Sequence, residues 1–421
     1  MNILLIGGGG REHALAWSLR KNPDVGTIWA LPGNAGMEEI ATCVPIAAKD
    51  LDAIVCFAQS QPVDFAVVAP DDPLALGLVD RLHGIGIPCF GPEAKAARIE
   101  SSKAFAKNLM SRYKIPTAAY RTFDSYEQAV AYLKTQRYPI VVKADGLALG
   151  KGVVIAMDER QAVEAVTTMM VDKVFGTSGG TVVIEEFLTG PEVSVLAFTD
   201  GKHIVPMISS MDHKRALDGD VGPNTGGMGT IAPNPWYTEA IASQCMEQIF
   251  IPTIRAMEQE GCPFKGCLYF GLMLTVEGPK VIEYNCRFGD PEAQVILPLL
   301  QSDLLTTMLA VENGTLEHCD VRFSPDSACC VVIASGGYPV SYEMEKQISF
   351  DCSADVLYFH AGTRRTDRGV VTAGGRVLSV VAVRPKLEQA VEAAYRGVDT
   401  VRFEHAAFRS DIGRSALEQL S

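Results

Sequence analysis

Short apolar runs alternate with helical repeats through residues 1 to about 100. NILLIGG, TIWALPG, DFAVVAPD and IPCFGP read as buried strands, and REHALAWSLR between the first two has apolar positions at helical spacing. That alternation predicts an open parallel α/β sheet over residues 1–101. Beyond it the texture changes. A lysine-bearing helix (SSKAFAKNLMSRY) and a break at Ile115-Pro116 lead to the run VVKAD, the loop GLALGKG, a second run GVVIAM and the helical DERQAVEAVTTMM. TVVIEEFLTGPEVSVLAFTDGKHIVPM then reads as adjoining strands with turns at Leu188 to Gly190 and at Asp200-Gly201. DHKRALDGDVGPNTGGMG is too glycine-rich for helix and reads as a long polar loop, of the kind that is usually functional or mobile. FGLMLTVEGPKVIEYN reads as a hairpin turning at Glu277 to Pro279, and ACCVVIASGGYP, VLYFHAGT, GGRVLSVVAV and KLEQAVEAAY predict a small α+β unit. Three units are expected: 1–101, 102–323 with a subdomain at about 116–187, and 324–421.

Composition narrows the function classes. At 48% hydrophobic and 21% charged the chain reads as soluble and globular. No apolar run approaches the ~18 residues of a membrane span. MNILLIGGGG lacks a basic segment and a cleavage site, so no secretory signal is expected. Eleven cysteines without a CxxC pair or zinc spacing suit a reducing compartment, and the expected location is the cytoplasm. Cys329 and Cys330 lie in an apolar run and are expected in a core. A formal charge of -13 argues against a nucleic-acid surface, so small molecules are the expected partners and any phosphate site must be locally positive.

Several stretches carry candidate chemistry. In VVKADGLALGKG, glycines let backbone N–H groups converge on an anion that Lys143 and Lys151 would neutralise. It is not a P-loop: Gly146 and Gly150 enclose three residues, and Gly152 follows Lys151 where a hydroxyl is required. A plain glycine-rich hairpin suits the same spacing. GGGGREHA invites a dinucleotide reading, but Glu12 takes the place of the third glycine and no acid ends the next strand; a single phosphate at the helix N-terminus fits better. Glu283 and Asn285 are two residues apart on a strand, hence on one face, and offer oxygen ligands suited to Mg²⁺. Glu185 and Glu186 end an apolar strand, with Glu192 after a short turn; they suit either a nucleoside site or an ordinary solvated turn.

The order of these pieces, a lysine strand and glycine-rich loop, a Glu-Glu-Phe-Leu hinge and a later Glu-x-Asn hairpin, resembles the ATP-grasp ligases. GGREHAL, ESSKAF, KADGLALGKGV, DHKR, NTGGMG and RFGDPEAQ (Arg287 to Gln294), with SGGYP, FHAGT, GGRVL and FRSDIG, are similar to the glycinamide ribonucleotide synthetase family over essentially the whole chain. The resemblance implies an N-terminal α/β substrate-binding domain, an ATP-grasp domain with a mobile lid and a C-terminal α+β domain. It implies ligation of glycine to 5-phosphoribosylamine through glycyl phosphate, with ATP as co-substrate and Mg²⁺ or Mn²⁺; a carboxylase or formate-using transformylase of the same superfamily is the alternative. By the same resemblance, Lys103 and Lys143 would contact phosphates under a lid of Gly146, Gly150, Lys151 and Gly152. Glu185, Glu186 and Phe187 would form the adenine hinge, Glu192 would bind ribose, and Glu283 and Asn285 the metal. Arg287, Lys214 and Asp212 would serve the acyl transfer, Thr225 and Gly226 the substrates, and Gly9 and Arg11 the ribose phosphate. His13 and His213 are expected to be structural or substrate-orienting. A monomer is expected, with a homodimer as alternative. Two departures stand out: Ala69-Pro70-Asp71-Asp72-Pro73-Leu74 replaces an expected Gly-Pro-Glu before Pro-Leu, and Leu272 stands where many ATP-grasp relatives carry a metal-binding acid.

Overall fold

The five strands Ile3–Gly7, Ile28–Pro32, Thr42–Cys43, Phe65–Val68 and Cys89–Phe90 pair in parallel, as their alternation with helices predicts. The sheet order is third, second, first, fourth, fifth. The order in which strands are added therefore reverses between Ile3–Gly7 and Phe65–Val68, and the crevice beyond their C-terminal ends is where such sheets bind ligands. Gly8–Arg11 and Pro70–Asp71 follow those ends. This computed structural model describes residues 1–147, 152–351 and 355–420. Gly150 and Lys151 lie outside the described residues.

The second unit holds two antiparallel sheets. One orders Tyr120–Phe123, Val182–Glu186, Ile140–Ala144 and Val153–Ala156, and packs the helices Tyr126–Leu133 and Glu159–Met170 on one face. Ile140, Val142, Ala144, Val182 and Ile184 point to that helical core. The two-residue period then sends Lys143 and Glu185 to the opposite face, toward the cleft. The other sheet orders Ile204–Pro206, Glu192–Asp200, Lys265–Thr275 and Gly278–Asn285. Its last hairpin turns at Val276 and Glu277, starting one residue earlier than the sequence suggests, because Pro279 pairs with Leu274 in the ladder. Gly278–Asn285 is an edge strand, where a proline without an N–H is tolerated.

The third sheet joins Met211–Asp212, Gly229–Ala232, Ser327–Ser335, Arg376–Arg384 and Leu357–His360, with helix Leu387–Val398 against it. It takes strands from inside the span 102–323, and Cys329 and Cys330 lie buried in it. The polar stretch 212–229 is only partly loop: Arg215–Leu217 and Val221–Asn224 pair as a hairpin. Among the described residues no helix is long and apolar enough to cross a membrane.

The start of helix Lys103–Arg112 is fixed twice. Ser102 Oγ accepts from the Phe105 N–H (3.1 Å), and Asp145 Oδ1 accepts from the Ala104 N–H (3.0 Å). This ties the helix carrying Lys103 to the end of the Lys143 strand. Ser102→Ala is expected to cost about 1 kcal/mol, the usual loss of an N-cap, read as a lowered urea midpoint.

Candidate active site

The two antiparallel sheets and the crevice of the parallel sheet enclose one cleft of about 970 Å³. At one end, cations line up. Lys143 reaches across from strand Ile140–Ala144, its Nζ donating to the Ile282 carbonyl at 3.1 Å. Lys103 Nζ donates to the Gly146 carbonyl at 2.8 Å, and burial lowers its pKa. Glu185 turns inward and is 4% exposed, with Lys107 at 2.9 Å and Lys143 at 3.1 Å. Burial pushes Lys107 down to about 8. Lys107 was not foreseen, although it lies one helical turn from Lys103, a spacing that shares a face. Glu186 accepts from the Ala119 N–H (3.0 Å), while Phe187 is exposed beside the cleft. The hinge residues thus split: the Glu185 side chain serves the lysines, and Glu186 and Phe187 line the rim.

Opposite them stand Glu283 and Asn285, on one face as alternation requires. Burial alone would raise Glu283, but Lys214, Lys143, Lys103 and Arg287 outweigh it and hold the carboxyl below its ordinary value. Its cross-strand partner is Gly271; Leu272, after a register shift, is fully buried in the core. No group of three or more His, Cys, Asp or Glu suited to a metal occurs among the described residues. An ionised carboxylate and an amide oxygen nonetheless fit a hard cation that takes its other ligands from phosphates and water.

The strand ends at Asn285, before Arg287, yet Arg287 Nη2 donates to Asn285 Oδ1 (3.1 Å) and to Glu100 Oε1 (2.8 Å). Its Nε is buried without a hydrogen-bond partner among the described residues, a free donor for an incoming oxyanion. Lys214 lies between Glu192 at 3.4 Å and Glu283 at 3.6 Å; those charges, Glu192 first, raise its pKa.

A second group of acids lies beside this end. Burial, then the neighbouring Glu292 charge, push Asp212 well above its usual value, and burial raises Glu292 as well. Asp212 Oδ1 is buried without a hydrogen-bond partner among the described residues. The chain passes it at Gly227, with φ +110° and an added Cβ only 2.7 Å from that oxygen, so only glycine fits. Two like carboxyls, one lacking a donor, thus share this end of the cleft, with Lys214 and Arg376 acting on Asp212 against their mutual repulsion. Glu292 lies in the RFGDPEAQ string, but nothing in its spacing assigns it this place.

Other expected contacts are already engaged. Thr225 Oγ1 donates to the Lys214 carbonyl (2.9 Å), and Gly226 donates to Tyr338 Oη (3.2 Å) and accepts from Arg376 (2.7 Å). The Gly9 N–H donates to Glu12 Oε2 (2.6 Å), and Arg11 Nε donates to Glu12 Oε1 (2.7 Å). Glu12, not a glycine, therefore caps this turn from within. Arg11 still lines the cleft, as does Asp71, whereas Asp72 turns to an ion pair with Lys49. His13 and His213 are buried, the former held near 3 by burial and His360.

Comparison with known proteins gives the family. The phosphoribosylglycinamide synthetase N domain matches residues 1–100, its ATP-grasp (A) domain 101–293 and its C domain 328–415. Phosphoribosylamine–glycine ligase of Halalkalibacterium halodurans is 45% identical over 100% of this chain and 98% of the relative, and that of Caulobacter vibrioides 46% identical over 100% and 99%. The solved phosphoribosylamine–glycine ligase of Thermotoga maritima superimposes with a TM-score of 0.88 at 34% identity, covering 98% of this chain and 100% of its own. A biotin carboxylase from Campylobacter jejuni shares the fold at 15% identity and a TM-score of 0.77, over 96% of this chain and 92% of its own. The chain belongs to the phosphoribosylglycinamide synthetase family of ATP-grasp ligases.

Proposed function

We propose that this protein ligates glycine to 5-phosphoribosylamine at the expense of ATP, giving glycinamide ribonucleotide, ADP and phosphate. The observation that carries the reading is the meeting, in one cleft, of a phosphate-type cation group (Lys103, Lys143) with a carboxyl pair built for an ammonium (Asp212, Glu292). A glycine carboxylate oxygen bonds to the γ-phosphorus as the bond from that phosphorus to the ADP oxygen breaks. The amine nitrogen of ribosylamine then bonds to the acyl carbon, the carbon–oxygen bond to phosphate breaks, and the departing phosphate takes the amine proton.

Lys103 and Lys143 neutralise the phosphates, and Arg287 Nε donates to the carboxylate or acyl-phosphate oxygen. Asp212 and Glu292 hold the glycine ammonium, which sets its carboxylate toward Lys214 and Arg287. The rim at Glu186 and Phe187 takes adenine, and Glu192 takes ribose. Glu283 and Asn285 would hold Mg²⁺ or Mn²⁺, which when bound neutralises phosphate charge. Arg11 and Asp71, at the crevice of the parallel sheet, face the ribosylamine.

The test is ADP release with Mg²⁺, ATP, glycine and freshly generated phosphoribosylamine, omitting each in turn. Release that needs both glycine and the amine, with glycinamide ribonucleotide identified by mass, is the expected result. Release supported instead by bicarbonate or formate would place the protein with the carboxylases or transformylases, which the family match does not favour.

A further inference from the structure

The FRSDIG string has no part in the chemistry above, yet it is bonded to the residues on either side of one that does. Arg409 is 2% exposed, rare burial for a guanidinium. Its Nη1 donates to the Arg215 carbonyl (3.1 Å) and to Asp220 (2.6 Å), and Nε and Nη2 donate to the two oxygens of Asp411 at 2.8 Å each. The Gly219 N–H donates to Asp411 (2.7 Å) and the Ser410 N–H to Asp218 (2.8 Å). Further on, the Gly413 N–H donates to His213 Nε2 at 3.2 Å, while Nδ1 of the same ring faces the Gly229 carbonyl at 3.3 Å. The ring is therefore the neutral Nδ1–H tautomer, and burial with Arg409 nearby holds its pKa at about 4.

These bonds fall on both sides of one cleft lysine. His213 precedes Lys214, and Arg215, Asp218, Gly219 and Asp220 belong to the hairpin that follows it. The hairpin closes on Lys214 itself, whose carbonyl accepts from the Thr225 N–H (2.8 Å) and Oγ1 (2.9 Å). The Lys214 ammonium, in contrast, stands 3.4 Å and 3.6 Å from its carboxylate partners. Such loose ion pairs leave a flexible side chain to be placed by its backbone.

We propose that Arg409–Gly413 is a clasp that sets the backbone of Asp212, His213 and Lys214, which makes Arg409 a positioning residue for the acyl-transfer end of the cleft. Lys103 and Lys143 stand on a different helix and sheet, and no hydrogen bond among the described residues links them to the clasp. Among the described residues the clasp reaches the ATP end through the pairs of Lys214 with Glu192 and Glu283, which at 3.4 Å and 3.6 Å are too loose to pass on a small displacement. The inference rests on the roles given above to Asp212 and Lys214.

Arg409→Gln, Arg409→Lys and Lys214→Met test it, with KM for ATP, glycine and ribosylamine and the ratio of ADP to ligated product measured for each. Arg409→Gln is expected to raise the glycine KM about tenfold and to release ADP in excess of product, with the ATP KM within about twofold of the parent. Arg409→Lys keeps the charge but not the fork, so it should recover only part of the loss. Equal rises in all three KM values, or a lowered Tm with unchanged kinetics, would make Arg409 merely structural and overturn the clasp. Should Arg409→Gln not fold, Asp220→Asn, at a largely exposed side chain, replaces it: a selective rise in the glycine KM supports the clasp, and equal rises or unchanged kinetics overturn it. If Lys214→Met leaves the glycine KM and the ratio unchanged, the site reading fails and the clasp with it. An impaired Lys214→Met beside a normal Arg409→Gln sinks the clasp alone.

Discussion

Lys143→Met is expected to slow ADP formation by about 10²–10³-fold, the usual loss when one donor to a developing anion is removed from an enclosed site. Phosphoryl transfer asks little of the protein beyond position and charge, and Lys143 supplies both. Its strand is fixed by helices on the opposite face, so the ammonium enters the cleft on a rigid base. The fold should survive, because Glu185 keeps Lys107 at 2.9 Å and methionine fills much of the vacated volume. Steady-state ADP release at saturating glycine and ribosylamine, beside a thermal melt, is the measurement. A loss below about tenfold would mean that Lys143 serves Glu185 rather than the phosphates.

Asp212→Asn is expected to raise the glycine KM by about 10²-fold, as the loss of one member of a buried charge pair does, with the ATP KM unaltered. The parent should also show a pH signature. Burial and Glu292 raise the Asp212 carboxyl, so it stays protonated to a higher pH than an ordinary aspartate. A protonated carboxyl cannot hold an ammonium. Hence kcat/KM for glycine should fall as pH falls through that raised value, and Asp212→Asn should flatten this limb of the profile. A variant in which the ribosylamine KM rises and the glycine KM does not would assign the pair to the other substrate.

Much of the cleft is legible in the chain alone because it depends on local period. VVKAD and VVIEE bury one face and turn Lys143 and Glu185 to the other, and Glu-x-Asn places Glu283 and Asn285 together. The ordered motifs carry the family, and the strand–helix alternation carries the first sheet. The hairpin turn is displaced from its expected place only because Pro279 reads as a breaker, when an edge strand accepts it.

Charge pairing is not legible in this way, because its partners lie far apart in the chain. Arg287 meets Glu100 across 187 positions, and Arg409 meets the Arg215 carbonyl across 194. No periodicity links such segments; only the packing of one sheet against another brings them within hydrogen-bond reach. The same holds for Asp72, which turns to Lys49 while Asp71 faces the cleft. The sequence by itself determined most of the elements, the sheet faces and the family, since these rest on side-chain period and ordered local motifs. The tertiary structure alone decided which buried charges meet and which donors stay free, since desolvation and Coulomb energy depend on distances that the chain order does not contain.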